Sequence, residues 1–180
     1  CIGDINRLPN PNGFTSGVFQ FESSGMRDIL RRYQPERIED LCALNALYRP
    51  GPIQGGMVDD FIERKHGRRK VVFEFDELEP ILAETYGVIV YQEQILRIVV
   101  DIGDFGWTHA AEIRRIMSKK TGEQAFNRKR DEFLAGAATL HKRSDWPAMD
   151  EDVARDIWGD CITAGAYAFN AAHSRSYGII

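Results

Sequence analysis

"HAAEIRRIMSKK" (109–120) decides how the chain is read. Ala110, Ile113, Ile116 and Met117 recur at helical spacing and form one apolar stripe. At about 100° per residue, Arg115 and Lys119 then lie one turn apart on the opposite face, with Arg114 on the flank and Lys120 at the fraying end. The segment 113–120 thus holds four positive charges in eight positions, within a chain of formal net charge −4. Arg grips phosphate oxygens bidentately and Lys acts as a point charge, so the row suits a polyanion. The competing reading is a solvated face on which Glu112 pairs with Arg115 at i,i+3.

Working outward, helical patterns dominate. "ESSGMRDILRRY" (22–33) places Met26, Ile29, Leu30 and Tyr33 on one face. "PERIEDLCALNALY" (35–48) predicts a helix with Pro35 in its first turn and Ile38, Leu41, Cys42 and either Leu44 or Asn45 on one side. "RPGPIQGG" (49–56) breaks the pattern, and "MVDDFIERKHG" (57–67) resumes it, with Val58, Phe61 and Ile62 inward and Gly67 as the stop. "VVFEF" (71–75) and "GVIVY" (87–91) read as two strands or extended pieces, separated by a short helix entered at Asp76. Further helices are expected at 92–103, 108–120, 122–141, 150–166 with Asp150 as N-cap, and from about 171 to the end. Residues 1–16, rich in Pro, Asn and Gly, form an irregular lead-in. The expected fold is mainly α with at most a small β element, and 17–180 form one region.

Composition narrows the function. A hydrophobic fraction of 43% and a charged fraction of 28% are those of a globular chain with a real core. No apolar run approaches the roughly 20 residues of a membrane span. Cys1, Cys42 and Cys161 are odd in number and far apart, which argues for a reducing compartment and against a disulfide framework or a zinc site. The chain starts at Cys1 and stops at "SYGII" inside an apolar segment, as a piece of a longer polypeptide would. Charge is partitioned. Residues 114–130 carry a local net of +6, "RKHGRRK" (64–70) has five positives and no acid, and 145–160 holds six acids and one Arg. One face for a polyanion would account for this, and so would ordinary solvated helix surfaces.

Three further motifs carry chemistry. In "YRPGP" (48–52) Pro50 pushes Arg49 out of the helical region, so the loop either presents Arg49 to a ligand or merely connects two helices. "QGG" (54–56) could offer N–H groups to a phosphate. "FNAAHSRSY" (169–177) gathers Asn170, His173, Ser174 and Tyr177; His173 is a phosphate or sugar ligand, or a packed histidine. Two-metal phosphoryl transfer needs carboxylates converging on ions ~3.5–4 Å apart. The adjacent acids Asp59/Asp60 and Asp150–Asp152 sit at helix starts, where capping and dipole effects explain them. Neither a Walker A loop nor a GxGxxG is present. The segment binds and does not by itself catalyse.

Five blocks, "GVFQFESSGM" (17–26), "LNALYRPGPIQGGMVDDFIERKHG" (44–67), "TYGVIVYQEQI" (85–95), "IRRIMSKK" (113–120) and "AFNAAHSRSY" (168–177), resemble the bacterial replicative C-family DNA polymerases, the DNA polymerase III alpha subunits, in that family's order. The resemblance implies the helical fingers region of a DNA-directed DNA polymerase, which closes over the incoming dNTP and contacts template–primer DNA. By this resemblance Arg114, Arg115, Lys119 and Lys120 face the triphosphate, and Arg49, Asn170 and His173 line the same cleft. It also implies catalytic Mg2+ bound by aspartates outside this segment. The segment alone would then be inactive, without catalytic residues or metal ligands of its own. Expected partners are the remainder of the polymerase chain, a sliding clamp and other replisome subunits, in the cytoplasm. Ser118 stands where the family usually has Gly, and Ala171-Ala172 where it more often has Lys-Ser; residues 121–150 depart most. A stand-alone helical nucleic-acid-binding module and a helical scaffold are the rival classes, and neither requires "YRPGP" or "AFNAAHS".

Overall fold

The apolar periodicities become helices whose stripes face two separate cores. The computed structural model describes residues 15, 17–18, 20–119 and 123–179. Lys120 and residues 1–14 and 16, including nearly all of the expected irregular lead-in, lie outside the described residues. Among the described residues the α-helices are α1 (Ser24–Tyr33), α2 (Ile38–Leu47), α3 (Pro50–Gln54), α4 (Met57–Lys65), α5 (Glu79–Leu82), α6 (Gln92–Asp101), α7 (Trp107–Lys119), α8 (Glu123–Asn127), α9 (Arg130–Ala138), α10 (Leu140–Arg143), α11 (Glu151–Gly165) and α12 (Ala171–Ile179). The mainly α expectation is met. The chain divides into two units, one running to Val71 and resuming at Phe169, the other Val72–Ala168.

In the first unit, Ser23 caps α1 by accepting from the Met26 N–H at 3.3 Å, and Met26, Ile29, Leu30 and Tyr33 are buried. α2 differs from its expected form in two ways. It begins at Ile38, leaving Pro35 upstream, because the Asp40 carboxylate accepts from the Glu36 and Arg37 N–H groups at 2.9 and 3.3 Å and closes the helix start there. Nor is it one-sided: every residue from Leu41 to Leu47 is buried, since α2 is the central element, packed by α4 and α12. "RPGPIQGG" is not a plain break either. Pro50 opens the short α3 at its first position, and Arg49 before it is extended (φ −144°, ψ 155°), as a residue preceding proline must be. α4 buries Val58, Phe61 and Ile62, and Gly67 ends it at φ +68°, where a side chain would be strained.

The second unit packs around Trp158, Phe126 and Phe133, with Ile95, Ile98, Val99 and Ile102 of α6 and its end and Ile113 of α7. Among the described residues neither expected strand forms. Val88, Ile89, Val90 and Tyr91 are buried, and side chains take up part of their backbone hydrogen bonding. The Val90 and Tyr91 N–H groups donate to Gln94 Oε1 at 2.8 and 2.9 Å, and Thr85 donates to the Val88 carbonyl at 2.6 Å. The Gln94 amide in turn donates to Thr85 Oγ1 and the Ile81 carbonyl, so one side chain replaces a strand partner. The short helix is entered at Asp76 as expected, through a 3-10 turn at Asp76–Leu78 that Phe75 precedes in extended conformation. The expected 122–141 helix is three pieces. The Phe126 and Phe133 rings, on two of these pieces, both reach Trp158, at 5.9 and 5.0 Å. Asp150 caps α11 as expected, accepting from Asp152 N–H at 2.9 Å.

Candidate functional site

α7 is built as its sequence demands. Ala110, Ile113 and Met117 are 1%, 0% and 5% exposed, Ile116 packs against the same core, and Arg114 and Arg115 are exposed. The alternative pairing of Glu112 with Arg115 is not what the structure holds. Glu112 accepts instead from Lys129, at 3.0 Å, and Lys129 also meets Glu132 at 3.1 Å. These carboxylates raise the Lys129 pKa, and Lys129, with weaker help from His109 and Arg115, holds the Glu112 carboxyl below its usual range. Among the described residues, neither the Arg114 nor the Arg115 side chain makes a hydrogen bond or ion pair. Ser118 donates back to the Arg114 carbonyl at 2.9 Å, so its hydroxyl is satisfied inside the helix. Lys119 closes the helix; its side chain lies outside the described residues, as does Lys120.

The second basic cluster behaves differently. Lys65, 7% exposed, points inward to Asp40 at 3.4 Å and to Glu36 at 3.8 Å, and sits 4.5 Å from the Tyr33 ring. Arg68 binds Glu63 through two nitrogens at 2.7 and 2.8 Å, and Arg69 pairs with Asp60. His66 meets the Arg32 carbonyl. Positives at 64–70 therefore build their own unit.

Arg49, Asn170 and His173 are gathered in the first unit by a residue the sequence reading had not singled out, Phe169. The Arg49 guanidinium lies over the Phe169 ring at 3.9 Å, and the His173 ring meets its edge at 5.3 Å. Partial burial draws the Arg49 pKa down from the usual arginine value. Asn170 Oδ1 accepts from the His173 N–H at 2.8 Å and the Asn170 carbonyl accepts from Ser174 N–H, so Asn170 opens α12. An Asn ahead of a helical run was the available signal. Ser174 is buried and donates to the Cys42 carbonyl, pinning α12 to α2.

The remaining features are quiet. A cavity of about 320 Å³ lined by Glu77, Ile81, Arg97, Asp101, Ser144 and Trp146 contains none of the predicted site residues. Among the described residues no group of three or more His, Cys, Asp or Glu could hold a metal ion, so no step is derived through one here. Cys42 and Cys161 are buried, and burial pushes the Cys161 thiol far up. No helix among the described residues is long and apolar enough to cross a membrane.

An exposed arginine pair near the start of the 113–120 block sits where a family model also matches. Residues 10–141 fit the bacterial DNA polymerase III alpha subunit finger domain. The chain belongs to this family. Proteins named DNA polymerase III subunit alpha from Campylobacter jejuni, Aquifex aeolicus and Helicobacter pylori are similar to it, 45%, 42% and 42% identical over 169, 168 and 169 residues. Those alignments cover 93–94% of this chain and 13–14% of each relative, so the chain spans a small part of their length.

Proposed function

We propose that the chain is the fingers region of a DNA-directed DNA polymerase acting in replication, and that the basic face of α7 binds the triphosphate of the incoming dNTP. One contrast carries the reading. Lys65, Arg68 and Arg69 of the 64–70 cluster are tied to carboxylates within their unit, whereas Arg114 and Arg115 stand exposed while Glu112 is held by Lys129. Two like charges side by side on a helix repel, and a polyanion relieves that repulsion. Nucleotidyl transfer moves negative charge onto the departing pyrophosphate, and fixed cations placed there lower the barrier. Ile113 and Met117 anchor the helix, so the guanidiniums need little reorganisation.

Arg49, held flat by Phe169, with Asn170 and His173, forms a second group for the sugar–phosphate of template–primer DNA or nucleotide. Mg2+, held by carboxylates of the longer chain, would supply Lewis-acid activation of the attacking hydroxyl. The remainder of that chain, the sliding clamp and other replisome subunits are the proposed partners, in the cytoplasm. Nucleotide-concentration dependence of rapid-quench incorporation tests the reading. With Arg114→Ala in the parent polymerase, the maximal rate should fall on the order of 10-fold or more, since the lost contact strengthens in the transition state. An unchanged maximal rate would point to a stand-alone nucleic-acid-binding role instead.

A further inference from the structure

α7 exposes more than arginines. Trp107, its first residue, is 70% exposed, while Trp158 of the same unit is 1% exposed and Trp146 is partly buried. A tryptophan left in water forgoes the largest apolar burial any side chain offers. Helical geometry sets its neighbours: Arg114, seven residues on, lies within about 20° of it around the axis and about 10.5 Å along it. Ala111 and Ser118 share this sector, both exposed and small, and Arg115 borders it. From Trp107 to Ser118 the one acid is Glu112, which faces away and is held by Lys129. The sector therefore pairs a flat aromatic with two guanidiniums that have no ion-pair partner among the described residues, separated by side chains too small to block a planar ring.

We infer that Trp107 is a stacking platform for an unpaired base of the single-stranded template, set about 10.5 Å along α7 from the arginines that take the triphosphate. An aromatic face accepts any base, and no acid in its helix sector repels the template phosphates. A duplex, whose bases already stack on each other, has nothing to offer the indole. The occupant is therefore the single-stranded template ahead of a primer end. This inference rests on α7 facing nucleic acid and deepens that reading.

The test uses the full-length polymerase with Trp107→Ala and Trp107→Phe, and two fluorescent DNAs: a primer–template with about ten unpaired template nucleotides, and a blunt duplex. Trp107→Ala should weaken overhang binding on the order of 10-fold, Trp107→Phe only about 3-fold, and blunt-duplex binding should stay as in the parent. Overhang binding unchanged by Trp107→Ala overturns the inference. So does an equal loss on both DNAs, which would mean that the indole packs on protein or tracks duplex backbone. Incorporation by Arg115→Ala separates the layers: a loss there with Trp107→Ala silent removes the platform and keeps the triphosphate clamp. A loss with Trp107→Ala alone removes the clamp.

Discussion

Lys65→Met removes the cation of the buried pair that organises the first unit, together with its hydrogen bonds to the Tyr33 and Gln34 carbonyls. Lys65 Nζ lies 3.4 Å from Asp40 Oδ2, with side chains 7% and 1% exposed, and methionine keeps the stem while deleting the charge. Burial alone would push the Asp40 carboxyl up. The Glu36 N–H, the Lys65 ammonium, the Tyr33 hydroxyl and Arg37 outweigh it and hold the carboxyl below its usual value. Without Lys65 the carboxylate either stays charged at a cost or takes up a proton. Protonation caps the cost: neutralising a group of ordinary pKa about 3.9 at pH 7 takes about 4 kcal/mol, and at pH 5 about 1.5 kcal/mol. Because three donors remain, the expected loss at pH 7 is about 2–4 kcal/mol.

Hydrogen exchange of α2 amides reads this unit by itself. In the parent, the Asp40 contribution is complete above the unfolded-state value of about 3.9 and is lost as pH falls through the lower folded value. The variant's deficit should therefore shrink toward acid. A loss under about 1 kcal/mol at pH 7, or a deficit that grows on acidification, would refute the reasoning.

Two further perturbations probe the second unit. A Cβ added at Gly136 would stand 1.9 Å from the Gly103 carbonyl oxygen, so Gly136→Ala must displace backbone and should destabilise by roughly 3 kcal/mol in urea unfolding; a neutral result would mean that α9 does not approach 103 this closely. Phe133→Ala empties the space 5.0 Å from the Trp158 ring and should cost about 3–5 kcal/mol with a red-shifted tryptophan emission; unshifted emission would contradict the shared core.

What the sequence showed was the amphipathic part. α1, α4 and α7 each have one wet and one dry face, so their stripes are written at helical spacing. α2 is buried all round and carries no such stripe, which hid its true start and its central place. The β-branched run at 87–91 reads as strand because burial, not pairing, selects those residues, and only Gln94 reveals what satisfies its backbone. The breaks within 122–141, between α8, α9 and α10, were not read from the helical pattern there. At the site, spacing alone put Arg115 on the face opposite the apolar stripe and Arg114 on its flank. Their lack of an acidic partner depended on Lys129, seventeen residues from Glu112. Phe169 went unnoticed because a lone aromatic shows its use only once a guanidinium is seen on its face.

The central claim, that α7 clamps the triphosphate, is tested most directly by single-turnover incorporation in the full-length polymerase carrying Arg115→Ala, with DNA affinity measured on the same preparation. The account predicts a fall of about 100-fold or more in incorporation, roughly 2.7 kcal/mol of transition-state stabilisation, at unchanged DNA affinity. Unchanged incorporation with weakened, salt-sensitive DNA binding would contradict it and assign the helix to the DNA backbone.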